Sequence, residues 1–340
     1  MAFRVAINGY GRIGQALLRA IHLAEAYRDL KVVAINEMAT PETLSYATRY
    51  DSTCGRFPLS VAVEGDGLIV AGERIAVLNQ PVAGQADWAA HEVDLVFECS
   101  GSFTDRAGVD RHLEHGAKRL LFSQPAWEAA DATIIYGFNT ADLRAGHRVV
   151  SAASCTTNCV VHILRFLDEV FGLRSGVSTT IHAAMNDQPV IDRCQGGAPR
   201  LSRGALNAIV PIETGLGQGI GKFFPHLVGR FESHHLRVPT TNVSLMDLSL
   251  QVRREADVDQ VNNILREAAE GALRGILGYS ADSCVSADFN LDPCSGIVDA
   301  TQTRVCAGKL VKVFAWFDNE FSYARRMLDL AQVWLSLQSR

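Results

Sequence analysis

Short apolar runs alternate with helix-spaced stripes through the first third of the chain. Residues 3–8 (FRVAIN) form an apolar run that breaks at Gly9. Ile13, Ala16, Leu17, Ala20, Ile21 and Ala24 then recur at the spacing of one helix face. Residues 31–36 (KVVAIN) repeat the strand signal, and 94–99 (DLVFEC), 119–122 (RLLF), 133–136 (TIIY) and 148–150 continue it. Strands that are apolar along their whole length are buried on both faces, which predicts a doubly wound parallel sheet with helices on either side.

The pattern changes in the second half. Long period-two runs at 176–181, 242–253 and 309–317 predict an antiparallel sheet with one face covered. Val258, Val261, Ile264, Leu265 and Ala268 predict a helix over 258–271. Phe321, Ala324, Met327, Leu328, Ala331, Trp334 and Leu335 predict a terminal helix that packs back on the body. Between the runs at 176–181 and 242–253, residues 193–221 are rich in glycine and small residues and have no clear period, which reads as a long functional loop.

A chain of 340 residues exceeds the usual size of one domain, so two are expected, each with a core large enough to need no staples. Eight cysteines at this length are too sparse for a disulfide scaffold. With 37 acidic against 32 basic residues and no long basic run, neither a nucleic acid nor an anionic membrane is an expected partner. No uninterrupted apolar window reaches the roughly 18 residues of a membrane helix, and the N-terminus opens directly into a strand-like run; the expected location is cytoplasmic.

Gly9-Tyr10-Gly11-Arg12-Ile13-Gly14 sets glycines in G-x-G-x-x-G spacing between the first strand and the first helix. There the glycines permit a tight turn and close approach of the backbone to a pyrophosphate, with the Arg12 and Ile13 amides as donors. The second strand ends at Asn36-Glu37. A carboxylate there accepts from adenine ribose hydroxyls and repels a ribose 2′-phosphate, which favours NAD over NADP. A structural glycine turn with a surface glutamate is the other reading of the same residues.

Ser151 to Cys159 (SAASCTTNC) follows a strand and opens an apolar helix. With Ser154 as N-cap, Cys155 falls in the first turn, where free amides and the helix dipole lower a thiol pKa, so a reactive thiolate is expected. Cys159, one turn on, would be the start of a two-ligand metal site, but no other His/Cys cluster completes a zinc set, and no metal is expected. Cys54, Cys99, Cys194, Cys284, Cys294 and Cys306 read as inert thiols. A nucleophile needs a base. Most histidines sit in polar surroundings, and His234 and His235 read as surface or strand-end residues. His182 ends the 176–181 strand before a polar turn, Asn186-Asp187-Gln188. A base facing Cys155 and a satisfied structural histidine fit that position equally well.

These pieces, read in order, resemble the glyceraldehyde-3-phosphate dehydrogenase superfamily along nearly the whole chain: NGYGRIG, the strand-end NE, SAASCTTNC, TTIHAAMNDQ, IVPIETG, RVPTTNVSLMDL and WFDNE. Within it, the chain is most similar to the bacterial erythrose-4-phosphate dehydrogenases of pyridoxal phosphate synthesis. The resemblance implies an α/β fold: a Rossmann NAD-binding domain over 1–154, joined by a C-terminal helix over 320–340, and an α+β catalytic domain over 155–319 with an antiparallel or mixed sheet. It implies a phosphorylated small aldose as substrate and a homotetramer in which the 193–221 loop lies near a neighbour's cofactor. Cys155 would attack the aldehyde, with His182 as base. Gly9, Gly11, Arg12, Ile13, Gly14, Glu37, Ser100, Gly101, Ser123 and Asn319 would hold NAD, Asn319 taking the nicotinamide carboxamide. Ser154, Thr156, Thr157, Thr214, Gly215 and Arg237 would bind substrate or inorganic phosphate.

Two departures from the family pattern bear on the substrate. The glycolytic enzymes carry a threonine three residues after the base, and here Met185 stands there, as in the erythrose-4-phosphate enzymes. The family's Arg-Arg-x-Arg segment is Arg200-Leu201-Ser202-Arg203 here, a departure from the glycolytic and the erythrose-4-phosphate enzymes alike. A missing guanidinium weakens the seat of an attacking phosphate and favours hydrolysis of the thioester.

Overall fold

The structure is a computed structural model that describes residues 2–82, 85–102, 105–194 and 196–337. Residue 195 of the expected loop and residues 338–340 of the expected terminal segment lie outside the described residues. By its contacts the chain divides into two compact units, Met1–Ser154 with Tyr323–Arg340, and Cys155–Ser322.

The first unit is built on β1 (Phe3–Asn8), α1 (Arg12–Leu23), β2 (Leu30–Asn36), α2 (Pro41–Arg49), β3 (Val61–Glu64), β4 (Gly67–Val70), β5 (Glu73–Leu78), β6 (Leu95–Glu98), α3 (Arg106–Glu114), β7 (Leu120–Phe122), β8 (Ala132–Thr133) and β9 (Val149–Ser151). The described strands form one sheet in the order β3-β4-β5-β2-β1-β6-β7-β9-β8. From β5 to β8 every pairing is parallel, whereas β3, β4 and β5 pair antiparallel. The buried side chains of Val5, Ile7, Ile35, Val96, Phe97 and Leu121 account for the unbroken apolar runs of the central strands. The expected strand at 133–136 is cut short at Thr133. Asn139 replaces the ladder there: its Oδ1 accepts from the Ile135 amide and its Nδ2 donates to the Thr133 carbonyl.

The helix Phe321–Ser336 closes this unit from the far end of the chain. Trp334 is fully buried, with the Arg119 guanidinium 5.0 Å from its ring centre, and Arg119 Nη1 donates to the Trp334 carbonyl at 2.7 Å. Truncating a buried tryptophan costs about 3–5 kcal/mol, enough to hold a terminal helix in place.

The second unit comprises α4 (Cys155–Phe171), β10 (Leu173–His182), β11 (Val210–Ile212), α5 (Leu216–Phe223), β12 (Phe231–Arg237), β13 (Ser244–Val252), α6 (Val258–Glu270), β14 (Leu277–Ser280), β15 (Gly296–Cys306) and β16 (Leu310–Phe317). Its strands run β11-β12-β10-β13-β16-β15-β14. The sheet is mixed: β10 with β12 and β14 with β15 are parallel, and the other pairs antiparallel. Along β10, Gly176, Ser178, Thr180 and His182 are buried, and α4 packs against β10 and β13. The expected 193–221 loop carries one 3-10 turn, Pro199–Ser202, then β11 and the start of α5. Among the described residues no helix is long and apolar enough to cross a membrane.

Candidate active site

In the first unit, β1 pairs with β2 on one side and β6 on the other, so the chain leaves β1 at a topological switch point. Gly9, Glu37, Ser100 and Ser123 each follow the carboxyl end of β1, β2, β6 and β7 respectively. Gly9 has φ +90°, and a Cβ on it would stand 2.6 Å from the Ser100 nitrogen. A Cβ on Gly14 would overlap the Gly9 carbonyl oxygen, so the third glycine lets α1 close onto the turn. Gly11 is different: a Cβ there would meet nothing within 4 Å. Its bare backbone opens on a cleft of about 320 Å³ lined by Gly9, Glu37, Ser100 and Ser102 among others.

The walls of that cleft are fixed from beneath. Glu98 is fully buried; its Oε2 accepts from Asn8 Nδ2 at 2.5 Å, and its Oε1 accepts from the Ser100 amide at 2.8 Å and the Ser100 hydroxyl at 2.5 Å. Asn36 Nδ2 donates on to Asn8 Oδ1 at 2.7 Å. Glu37 Oε2 accepts from the Tyr10 amide at 2.8 Å and its Oε1 from the Met38 amide at 2.7 Å. Two carboxylate oxygens offer about four acceptor sites, so the anchored carboxylate still has capacity for ribose hydroxyls. The Arg12 side chain is committed elsewhere, to Asp51 at 2.8 and 3.1 Å. Burial pushes the Asp51 carboxyl up, but the Arg12 hydrogen bond and the Cys54 and Thr53 amides together hold it below its ordinary value. The cradle at Gly11, the first-turn backbone of α1 and the tethered Glu37 fit a dinucleotide.

In the second unit the chemistry is made of side chains. Ala153, just before α4, has φ +58°, the sharp corner that lets the strand β9 turn into a helix beginning at Cys155. Ser154 stands directly before that helix, and Thr156 and Thr157 are buried in its first turn. Cys155 Sγ lies 4.0 Å from His182 Nε2. His182 Nδ1 is 2.8 Å from the Ala183 carbonyl. Carbonyl oxygens only accept, so Nδ1 carries the proton and Nε2 presents its lone pair to the thiol.

Burial works against the expected thiolate. Burial pushes the Cys155 thiol up to about 11, outweighing the lowering by the Thr156 and Cys155 amides and by Arg237. Burial likewise pushes His182 down to about 4, against the Ala183 hydrogen bond and with help from Arg237. The helix start does favour the anion, but desolvation is larger here. Burial thus disfavours charge on both partners, and passing the proton from sulfur to Nε2 as sulfur attacks keeps it within the pair.

Arg237 ends β12 opposite His182 in the parallel register. It is buried, and its Nη1 and Nη2 donate to Asp187 at 2.6 and 3.3 Å. Asn319, after β16, is anchored through Ser244: the Ala183 amide donates to Ser244 Oγ at 3.0 Å, and that hydroxyl donates to Asn319 Oδ1 at 2.9 Å. One residue, Ala183, thus supports both the base and the amide.

Residues 3–106 match the family model for glyceraldehyde 3-phosphate dehydrogenase, NAD binding domain, and residues 154–319 that for glyceraldehyde 3-phosphate dehydrogenase, C-terminal domain. The chain belongs to the glyceraldehyde 3-phosphate dehydrogenase family. It is an NAD-dependent dehydrogenase acting on the aldehyde of a sugar phosphate.

Of the residues expected at the family's site, Cys155, His182 and Arg237 share one side-chain group, and Asn319 joins it through Ser244. Thr214 and Gly215 stand at the turn from β11 to α5, where Thr214 Oγ1 accepts from the Leu216 amide at 3.3 Å. Among the described residues no hydrogen bond joins Thr214 to Cys155, His182 or Arg237. Gly101 has φ +73° and lies exposed beside Ser100. Among the described residues no group of three or more His, Cys, Asp or Glu side chains is placed to hold a metal ion, and all eight cysteines are free.

Sequence reasoning missed Asp187, Ser244 and His235. His235 is buried in β12, not on the surface. Strand parity was the available signal, because 231, 233, 235 and 237 share a face and Arg237 marks that face as the functional one.

Proposed function

We propose that the enzyme oxidises D-erythrose 4-phosphate to 4-phosphoerythronate and releases the acid by hydrolysis. Cys155 Sγ adds to the aldehyde carbon while His182 Nε2 takes the thiol proton and passes it to the carbonyl oxygen, giving a thiohemiacetal and a neutral base. His182 then removes the hydroxyl proton as the carbon is oxidised. NAD, when bound, supplies the hydride acceptor, and Gly9, Gly11, Arg12, Ile13, Gly14, Glu37, Ser100, Gly101, Ser123 and Asn319 are the residues assigned to hold it. A thioester is left on Cys155; His182 gives its proton to solvent, then takes one from the water that adds to the thioester and returns it to the departing sulfur, restoring the thiol. Arg237 carries the cation for the substrate phosphate, with Ser154, Thr156, Thr157, Thr214 and Gly215 as its hydroxyl and amide donors.

The observation that carries the choice of substrate is Met185, three residues after the base and 43% exposed. A thioether offers no hydrogen-bond donor, so a phosphate seated as in the glycolytic enzymes loses a partner there. Leu201 adds no charge where the family has a second arginine, and Arg203 Nε is paired with Asp192 at 2.8 Å. Met185 weakens the seat of the substrate phosphate as the glycolytic enzymes have it, and Leu201 weakens the seat of an attacking inorganic phosphate, which favours water as the acyl acceptor. The resemblance further supports a homotetramer acting in the cytoplasm.

A phosphorylating glyceraldehyde-3-phosphate dehydrogenase is the competing reading, favoured by the buried Arg237 cation. Initial rates of NADH formation with each aldehyde, with and without inorganic phosphate, separate the two. Turnover of erythrose 4-phosphate without phosphate is expected. Strict dependence on phosphate, with glyceraldehyde 3-phosphate much the better substrate, would sink the proposal.

A further inference from the structure

His182 is held by more than its bond to Ala183. On β12, His235 stacks against it, ring centres 4.8 Å apart and planes inclined by 23°. Phe317 meets the same imidazole edge-on at 6.1 Å. Arg237 Nε donates to His235 Nε2 at 3.4 Å, while the two Nη atoms hold Asp187. The register explains the grouping: Thr180 lies opposite His235 and His182 opposite Arg237. Residues two apart on neighbouring strands project to one face, so the base, the stacked ring and the guanidinium share it.

We propose that His235 is a positioning residue for the dehydrogenation: its ring holds the plane of His182 and its Nε2 holds the guanidinium of Arg237, so base and phosphate-binding cation keep one geometry. This rests on the nucleophile–base reading of Cys155 and His182. Accepting from Arg237 needs a lone pair on Nε2, so His235 is neutral with its proton on Nδ1. The titratable and charged groups that face it are His182 from β10, Arg237 beside it on β12, and Asp187 from the turn after β10, with Cys155 of α4 next to His182 at Nε2; β11 places Ile212 opposite it. Burial pushes His235 down to about 3, and His182 and Arg237 add to the effect. The ring therefore stays neutral where the enzyme works, and His182 can take the thiol proton without a second cation stacked on it. Without the ring, the flat face of His182 loses its support and Nε2 is free to swing off the line to Sγ. Without the acceptor, the guanidinium loses one of its two anchors.

His235→Phe keeps a flat ring and loses the acceptor, His235→Gln keeps an acceptor and loses the ring, and His235→Ala loses both. On the NAD-loaded enzyme with the sugar-phosphate aldehyde, His235→Ala should lower kcat about tenfold and raise KM several-fold. His235→Phe should restore kcat to within about twofold while KM stays raised, and His235→Gln should show the reverse split. The pH profile of Cys155 alkylation by iodoacetamide should shift in the Ala and Gln variants and match the parent in the Phe variant. If the Ala variant fails to fold, the Phe–Gln pair decides alone. Parameters and profiles all within about twofold of the parent, or Phe and Gln variants that lose kcat equally, overturn the proposal. His182→Asn is the control. If it leaves the alkylation profile unchanged, the nucleophile–base reading has failed; if it shifts the profile and the His235 variants do not, only the role of His235 has failed.

Discussion

The two units carry their chemistry in different materials. The cofactor cleft of the first unit is made of backbone: a left-handed Gly9, a Gly14 with no room for a Cβ, and a Gly11 that opens on the cleft. Its principal charged side chain, Glu37, is itself tied down by backbone amides. The Cys155 group is the reverse. It draws Cys155 from a helix start, His182 and Arg237 from the ends of parallel strands, and Asn319 from beyond β16, each buried or half-buried and each oriented by a neighbour. A backbone site binds whatever phosphate chemistry reaches its amides, whereas a side-chain site must first remove its groups from water. That desolvation works against the thiolate that a helix start favours.

The division implies a double dissociation. Cys155→Ser should lower NADH formation by about a thousandfold or more, because a hydroxyl beside a weakly basic imidazole is a far poorer nucleophile than a thiol. NAD binding, followed by quenching of tryptophan fluorescence, should be unchanged; a lost NAD titration would break the division. Gly9→Ala attacks the other side. The added Cβ meets the Ser100 backbone and φ must leave +90°. The strain is about 1–3 kcal/mol, and NAD affinity should fall by about one to two orders of magnitude. Cys155 should still alkylate at the parent rate; equal loss of both readouts would mean that the two sites are not separable.

The same contrast decides what could be read from the sequence. The glycine turn and Glu37 lie within one strand–helix–strand stretch, and local spacing exposes them because the physics is local: a turn, a helix start, a strand end. The central strands were equally legible, since burial on both faces leaves unbroken apolar runs. The antiparallel β3–β5 edge was not, because its strands run only four to six residues between tight turns, too short to show a period. Thr133–Tyr136 misled for another reason, an asparagine side chain capturing the ladder. Cys155 and His182 stood out as candidates, but only the fold could bring them together. The Asp187 clamp on Arg237 and the stack of His235 on His182 depend on the β10–β12 register, which no single segment encodes. The direction of the thiol pKa was missed because helix-end electrostatics can be read from position, whereas desolvation can be read only from the finished packing.

That buried pair has a thermodynamic signature, smaller than the kinetic effects and directed to acid. His182 ordinarily titrates near 6.5 and is pushed down to about 4 in the fold, chiefly by burial. Between those values the unfolded chain binds a proton that the folded chain refuses, so unfolding is drawn forward as pH falls. The stability is complete above the ordinary histidine value and is lost progressively down to the folded one. The span corresponds to roughly 3 kcal/mol across the window. Burial pushes His235 the same way, to about 3, and it adds to the slope. Asp51 and Asp187 do not confuse the measurement, since carboxylates held below their ordinary range give up stability only at more acid pH. Urea midpoints measured from about pH 7 to about pH 4 should fall steadily for the parent and less steeply for His182→Asn, which has no proton to refuse. The Gly9→Ala variant, with the Cys155 group intact, should keep the parent's slope from a lower starting point. Equal slopes in the parent and His182→Asn would mean that the base is neither buried nor neutral in solution.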